Sequence, residues 1–324
     1  MKTVLCITLN PAIDMTMTLE TLILGAVNRA NSSQLGAAGK GLNVAHVLSE
    51  LGINGVASGF LGLDNDEIFK HLFVSHQDVK SVDGVGRMTD EFVRVSGRTR
   101  TNVKLVDSGR TTDINGKGFM VNDDDKQALF ALLPALVKSA DAVLVAGSLP
   151  QGFDSKDFDV LLRLLSGLHD KVAVDVSGDA LKVALGHRLW LIKPNSDELS
   201  QAFGRVITTL DEQQAALATI GGDITNILVS MGEQGVHWFK KSQGGSLIYK
   251  AIPPKMSVVS TVGAGDTMVA GMIFGLLKQL TDEETLLRAT ALSAYAVTVV
   301  GVKVPHSIEL GQLMAQTLIQ KLSE

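Results

Sequence analysis

Cysteine, proline and excess positive charge are what this 324-residue sequence has least of. Its one thiol, Cys6, has no partner for an intramolecular disulfide and lies in the apolar run 4–9, so a small buried thiol in a reducing compartment is expected. Lys and Arg number 29 against 34 Asp and Glu, and the balance, 29 − 34 = −5, leaves no surplus of cations to hold a polyphosphate backbone. Nucleic acid is not expected as a partner. Long apolar runs are missing too: 291–302 is interrupted by Ser293, Thr298 and Gly301 and falls short of the roughly 20 apolar residues of a membrane span. Met1-Lys2-Thr3-Val4 enters a strand-like run without the features of a secretory signal, and a cytoplasmic protein with no membrane partner is expected. The absence of internal repeats, low-complexity tracts and Pro/Ser linkers favours a single domain over residues 1–324.

What the chain has is glycine, 32 residues against 7 prolines, in a composition that is 45% hydrophobic and 19% charged, as in a folded globular protein. Short Val/Ile/Leu-rich runs at 4–9, 55–60, 142–146, 172–175, 189–192 and 227–230 read as strands covered on both faces. Between them, 41–51, 66–73, 123–138, 155–168, 196–203 and 211–220 have helical period, which gives an α/β fold. Two segments, 13–34 and 91–115, alternate at period two and are expected to form a small sheet outside the main one, able to close over a ligand as a lid. A hairpin of 236–239 and 247–251 around Gly244-Gly245 precedes helices at 264–278, 282–299 and 308–322.

The most informative phrase is Ser260-Thr261-Val262-Gly263-Ala264-Gly265-Asp266-Thr267, which opens a helical run. Gly263 and Gly265 let backbone N–H groups approach an anion, and the helix N-terminus adds partial positive charge, so the phrase can form an anion hole. Asp266 falls in the first turn beside it, where a carboxylate can take the proton of a hydroxyl aligned with a phosphoryl group. The alternative is plain capping: Thr261 as the cap, Asp266 complementing a dipole that would also lower its pKa.

A second glycine turn, Gly36-Ala37-Ala38-Gly39-Lys40-Gly41-Leu42-Asn43, fails as a P-loop because Gln34 and Gly41 stand where Gly and Ser/Thr are needed. It also lacks the Rossmann spacing, which leaves a cationic turn with Lys40 and Asn43 exposed at a helix start, or a tight turn and nothing more. Arg98, Arg100, Asn102 and Lys104 would share one face of a strand, either as a charged edge or as a cationic stripe for a phosphorylated substrate. Asp14 and Gly147-Ser148 follow strand ends, where open α/β sheets place ligand groups. Asn195 and Glu198, one turn apart after Lys193-Pro194, suit either a Mg²⁺ contact or capping.

Taken in order, Thr8-Leu9-Asn10-Pro11 with Asp14, the 37–44 turn, Gly147-Ser148-Leu149-Pro150, Lys193-Pro194-Asn195 with Glu198, Ser230-Met231-Gly232 with Gly235, and 260–266 resemble the PfkB family of carbohydrate kinases. The resemblance spans nearly the whole chain. It implies a ribokinase-like three-layer α/β/α domain with a mainly parallel central sheet and a small β-sheet lid, using ATP and Mg²⁺ to phosphorylate a sugar hydroxyl. It further implies Asp266 as base, with Gly263, Ala264 and Gly265 as the anion hole. Asp14, Gly39, Asn43 and Ser148 would meet the sugar, and Arg100 a phosphate already on it. Lys193, Asn195, Ser230, Gly232, Gly235 and Thr261 would line the nucleotide, and Glu198 would organise Mg²⁺. With Lys40 and the 98–104 stripe, the expected substrate is fructose 1-phosphate or a related ketose phosphate, such as fructose 6-phosphate or tagatose 6-phosphate. A homodimer through the lid is also implied. The non-enzyme alternative is a phosphosugar-binding sensor, which would be expected to lose Asp266 or its glycines first.

Overall fold

The computed structural model describes residues 1–81, 84–107, 110–242 and 245–323. Its first part runs β1 (Thr3–Thr8), β2 (Ala12–Leu19), β3 (Ser32–Ala38), α1 (Lys40–Glu50), β4 (Asn54–Gly62), α2 (Glu67–Ser75), β5 (Val79–Ser81), β6 (Gly84–Gly86), β7 (Met88–Val95), β8 (Arg100–Asp107) and β9 (Arg110–Asn115). The middle is α3 (Asp123–Ser139), β10 (Ala142–Ala146), α4 (Ser155–Leu168), β11 (Val172–Asp175), α5 (Gly178–Ala184), β12 (Leu189–Ile192), α6 (Ser196–Phe203), α7 (Leu210–Leu217) and β13 (Ile224–Ser230). The chain ends with β14 (Val236–Ser242), β15 (Gly245–Ile252), α8 (Ala264–Leu277), α9 (Asp282–Ala296), α10 (Ser307–Gln316) and β16 (Leu318–Ser323).

Strand β1 shows how the layers arise. Its residues point alternately to opposite faces, so Val4 and Cys6 join a core with Leu42 and Val44 of α1 and Met272 of α8, while Leu5 and Ile7 join another with Leu133 of α3 and Phe158 of α4. A strand covered on both faces must be apolar at every position, and that is why it reads as an unbroken run. Burial also pushes the Cys6 thiol up, away from reactivity. The main sheet has the order β16-β15-β14-β13-β12-β11-β10-β1-β4-β7, parallel from β13 through β7 and antiparallel from β13 to β16. A separate four-stranded sheet, β3-β2-β8-β9, stands beside it, and β5 pairs with β6. No helix of the described residues is long and apolar enough to cross a membrane.

Three expectations need correction. Residues 91–95 are not in the small sheet: β7 pairs in parallel with β4, with Phe92 opposite Gly59, as an edge strand of the main sheet. An edge strand with only Met88, Phe92 and Val95 buried keeps polar residues among its apolar ones, so the mix of residue types alone could not assign it. The helix expected over 308–322 stops at Gln316, and β16 adds antiparallel to β15, with Ile319 opposite Ala251. Pairing an open sheet edge overrides a weak helical propensity there. Arg98 lies outside β8 and is exposed, so the cationic stripe is shorter than expected. The hairpin β14–β15 is present, although part of its turn, residues 243 and 244, lies outside the described residues.

Candidate active site

The carboxyl ends of β1, β10, β11, β12 and β13 open on one side of the sheet, the usual place for ligands in such folds. Helix α8 begins there. Its N-cap is Gly263, at φ 84°, with no side-chain capping bond. Glycine adopts this left-handed conformation without a Cβ penalty, and the turn leaves the first N–H groups of α8 without intrahelical partners. Thr261 is exposed and does not cap the helix, contrary to the capping reading. Thr267 instead closes the turn, with both its N–H and its hydroxyl donating to the Gly263 carbonyl at 2.8 Å. The Ser293 hydroxyl of α9 donates to the Ala264 carbonyl at 2.9 Å and ties the turn down; nothing in the sequence pattern marked Ser293 for this.

Asp266 is 6% exposed, and its Oδ2 accepts a bond from Asn43 Nδ2 at 2.7 Å. Asn43, expected to be exposed, is buried because the carboxylate draws it inward. The expectation that the helix dipole would depress Asp266 is also overturned. Burial first and the neighbouring Asp175 second raise its pKa to about 6, against the pull of Lys40, Asn43 and Lys193. An acid with that pKa is ionised at neutral pH yet far more basic than an exposed carboxylate.

Asp175 was not singled out from the sequence beyond its place at a strand end. It closes β11 at 1% exposure and sits between two ammonium groups, Lys40 Nζ at 3.3 Å and Lys193 Nζ at 3.5 Å. Burial alone would raise its pKa, but Lys193 and Lys40 outweigh that and hold it below the usual range. Lys40 is raised in turn, chiefly by Asp175, with burial opposing and Asp266 and Glu198 adding to the rise. Asp175 thus gathers the lysine that opens α1 and the lysine that follows β12. Lys193 reaches the start of α8: a Cβ placed on Gly265 would lie 3.3 Å from its Nζ.

Toward the small sheet, a cavity of about 200 Å³ is lined by Asp14, Asn43, Lys104, Gly36, Ser260 and Gly263, among others. Asp14 and Asn102 face each other across β2 and β8, and Asn102 Nδ2 donates to Asp14 Oδ1 at 3.1 Å. Lys104 Nζ is 3.5 Å from Asp14 and 3.3 Å from Asp113. Arg100 is half-buried and donates to the carbonyls of Asn10 and Pro11 at 3.1 and 3.3 Å, which fixes its guanidinium at the end of β1. Gly39, at φ 149°, passes so close to β1 that a Cβ would lie 2.7 Å from Thr8 Cγ2. Asn10 Nδ2 reaches Ser148 Oγ at 3.2 Å and brings the loop after β10 to this side. Arg98 stays outside, exposed ahead of β8.

On the other flank, Asn195 and Glu198 form a reciprocal cap of α6: Glu198 N donates to Asn195 Oδ1 at 2.8 Å, and Asn195 N to Glu198 Oε2 at 2.9 Å. Both are half-engaged with their own helix, the alternative left open above. Ser230 N donates to the Pro194 carbonyl at 3.1 Å and joins the end of β13 to this phrase. Gly232 and Gly235 bound the following turn, and a Cβ on Gly235 would collide with the Ala251 carbonyl.

An open helix N-terminus beside a buried, basic carboxylate can stabilise a phosphoryl group while the carboxylate deprotonates an alcohol, which is the chemistry a phosphotransferase needs. A family model described as pfkB family carbohydrate kinase matches residues 1–309. The sequence is 46% identical to the 1-phosphofructokinase of Vibrio cholerae, over 99% of this chain and 98% of that protein. It is 38% identical to the Escherichia coli enzyme of the same name, over 98% of each. A structure of Escherichia coli phosphofructokinase-2 superposes with a TM-score of 0.82 at 25% identity, covering 97% of this chain and 99% of that one. The chain belongs to the PfkB family of carbohydrate kinases. It is a phosphotransferase acting on a sugar hydroxyl, with ATP as co-substrate.

Proposed function

We propose that this kinase transfers the γ-phosphoryl group of ATP to the 6-hydroxyl of fructose 1-phosphate, giving fructose 1,6-bisphosphate and ADP. The observation that carries the chemistry is Asp266, buried, held at a pKa of about 6 and placed in the first turn of an uncapped helix. The sugar oxygen attacks the γ-phosphorus, its proton passes to Asp266, and the bond from phosphorus to the β-phosphate bridging oxygen breaks with its electrons leaving on ADP. The N–H groups of Ala264 and Gly265 would face the migrating group, and Lys193, whose Nζ lies beside Gly265, would balance its charge. Asp14, Asn43 and Ser148 would orient the sugar, Gly39 would allow its close approach, and Arg100, Lys104 and Lys40 would meet the phosphate it already carries. Ser230, Gly232, Gly235, Asn195 and Thr261 would flank the nucleotide.

Mg²⁺ fits the donors present. Asp175 Oδ2 is buried with no hydrogen-bond partner among the described residues, and Glu198 uses Oε2 in its cap. These hard oxygens suit Mg²⁺, and Glu198 would hold it, directly or through water. When bound, the ion neutralises phosphate charge. The small sheet supplies a surface for a homodimer, since Leu35 of β3 and Ile114 of β9 are 58% and 55% exposed on its two edge strands. A cytoplasmic location agrees with the buried, unpaired Cys6.

The deciding experiment is a panel of fructose 1-phosphate, fructose 6-phosphate and tagatose 6-phosphate with ATP and Mg²⁺, compared by kcat/KM. Fructose 1-phosphate should win. A higher value for either other sugar would replace the substrate assignment, and no ADP release from any of them would favour the phosphosugar sensor.

A further inference from the structure

Outside the catalytic cluster, three side chains converge where α1 meets the end of α2. His46 and Glu50 lie one turn apart on α1, and His76 follows the last residue of α2. One ligand-type atom from each of the three lies within 4.8 Å of the others. His76 Nε2 is 3.4 Å from Glu50 Oε1, and His46 Nε2 is 3.8 Å from the same oxygen. The two rings meet edge to face, with centroids 4.2 Å apart.

These separations are long for direct bonding. A charge-assisted N–H to carboxylate hydrogen bond spans about 2.7 to 2.9 Å. The 3.4 Å separation is close to the edge of a coordination tetrahedron, since bonds of about 2.0 to 2.1 Å to zinc put neighbouring ligand atoms roughly 3.3 to 3.4 Å apart, and His46 at 3.8 Å would have to draw in slightly. A second, independent feature points the same way. His76 Nδ1 lies 3.0 Å from the Leu72 carbonyl, which can only accept, so Nδ1 carries hydrogen and Nε2 is the ring nitrogen turned to Glu50. A proton on Nε2 would pair it with the Glu50 carboxylate, and a metal ion bound there would take that proton's place. A metal-bound imidazole characteristically donates its other N–H to a carbonyl in this way, which fixes tautomer and ring orientation.

We propose that His46, Glu50 and His76 form a zinc-class divalent metal site. Two imidazole nitrogens and one carboxylate oxygen suit Zn²⁺, whereas Mg²⁺ and Ca²⁺ call for oxygen alone. The histidine side chains are 17% and 12% exposed and that of Glu50 34%, so the fourth position opens to water on the Glu50 side. The ion would clamp α2 to α1, the helix that carries Lys40 and Asn43 into the catalytic cluster.

The test uses untagged, chelator-treated protein titrated with Zn²⁺ by calorimetry and with Co²⁺ by visible absorption. One equivalent should bind, and cobalt should show the intense d–d bands of four-coordination. Loss of an outer-shell partner alone costs about 10- to 100-fold in metal affinity, so His46→Gln and His76→Gln should each weaken binding by about 100-fold or more. Asp266→Asn should leave it unchanged, which separates this site from the catalytic carboxylates. Absence of uptake, a six-coordinate cobalt spectrum in the unaltered protein, or uptake undiminished in both histidine variants would overturn the proposal.

Discussion

The helices of this kinase start in two different ways. Helices α3, α4, α6, α7 and α9 each begin with a reciprocal capping box, from Asn122, Asp154, Asn195, Thr209 and Thr281, which spends their free N–H groups within the helix. Helices α1 and α8 begin on Gly39 and Gly263, without a side-chain capping bond, and both open at the catalytic cluster. Helices α2, α5 and α10 also lack such a bond but start on Asp66, Ser177 and His306. The contrast separates two uses of one physical feature. At α3, α4, α7 and α9 the orphan donors are partly satisfied by the cap; at α1 and α8, which we read as facing an anion, glycine leaves them open and would let a ligand come close. Helix α6 is the mixed case, lying at the site and yet capped by the residues read as nucleotide and metal contacts.

The largest effect should come from the open end of α8. Asp266→Asn keeps the shape and the bond partner of the carboxylate but removes the base, so kcat should fall by about 10² to 10⁴. Thermal stability at neutral pH should rise rather than fall, because burial penalises the charged form that Asp266 holds there and asparagine lacks. Steady-state rates paired with a melting curve check both parts, and turnover within a few-fold of the original would take Asp266 out of the base role. Next in size is Arg100→Ala. Losing a charged hydrogen bond to the sugar phosphate should cost about 1.5 to 3 kcal/mol, roughly ten- to a hundredfold in KM for fructose 1-phosphate. An unchanged KM would mean that Arg100 serves only the Asn10 and Pro11 carbonyls.

Much of this was legible in the sequence. The parallel strands announced themselves because burial on both faces forbids polar residues, whereas the 260–266 phrase, which alone could equally be a capped helix start, gained its meaning only from the other motifs in order along the chain. The failures have physical causes. Residues 91–95 mislead because an edge strand buries only part of each face, Phe92 on one side and Val95 on the other, with polar residues between, and only pairing with β4 places it in the main sheet. Residues 318–323 form a strand because β15 offers an unpaired edge, a fact of tertiary structure. The raised pKa of Asp266 depends on burial and on Asp175, 91 residues away in the chain (266 − 175), and no local motif carries that. Asp175 was overlooked because a single Asp after a strand resembles any turn residue until two lysines are seen to close on it.

The electrostatics of the open ends can be read as a pH profile. Below a pH of about 6, Asp266 takes up a proton and can no longer accept one from the sugar, so kcat/KM should drop about tenfold for each further unit. The substrate's own phosphate also titrates near pH 6, so the informative quantity is a displacement between two proteins. Lys40 is among the groups holding Asp266 down, and Lys40→Met should therefore move the acid limb to higher pH. A limb that stays in place would assign it to the substrate.

The smallest effect tests the capped side of the comparison. Asn122 accepts from Asp125 N at 3.0 Å at the start of α3, whose inward face packs Leu129, Leu133 and Val137 in the core on the opposite side of the sheet from α1 and α8. Asn122→Ala should cost about 1 kcal/mol of stability, measured by denaturant unfolding, and leave kcat and KM as they were. If each helix start serves either packing or chemistry, the two readouts must separate here in the opposite sense from Asp266→Asn. A fall in kcat with Asn122→Ala would mean that the α3 layer and the reacting groups are mechanically coupled through β1, and the division between closed and open helix ends would no longer describe how this enzyme apportions its backbone donors.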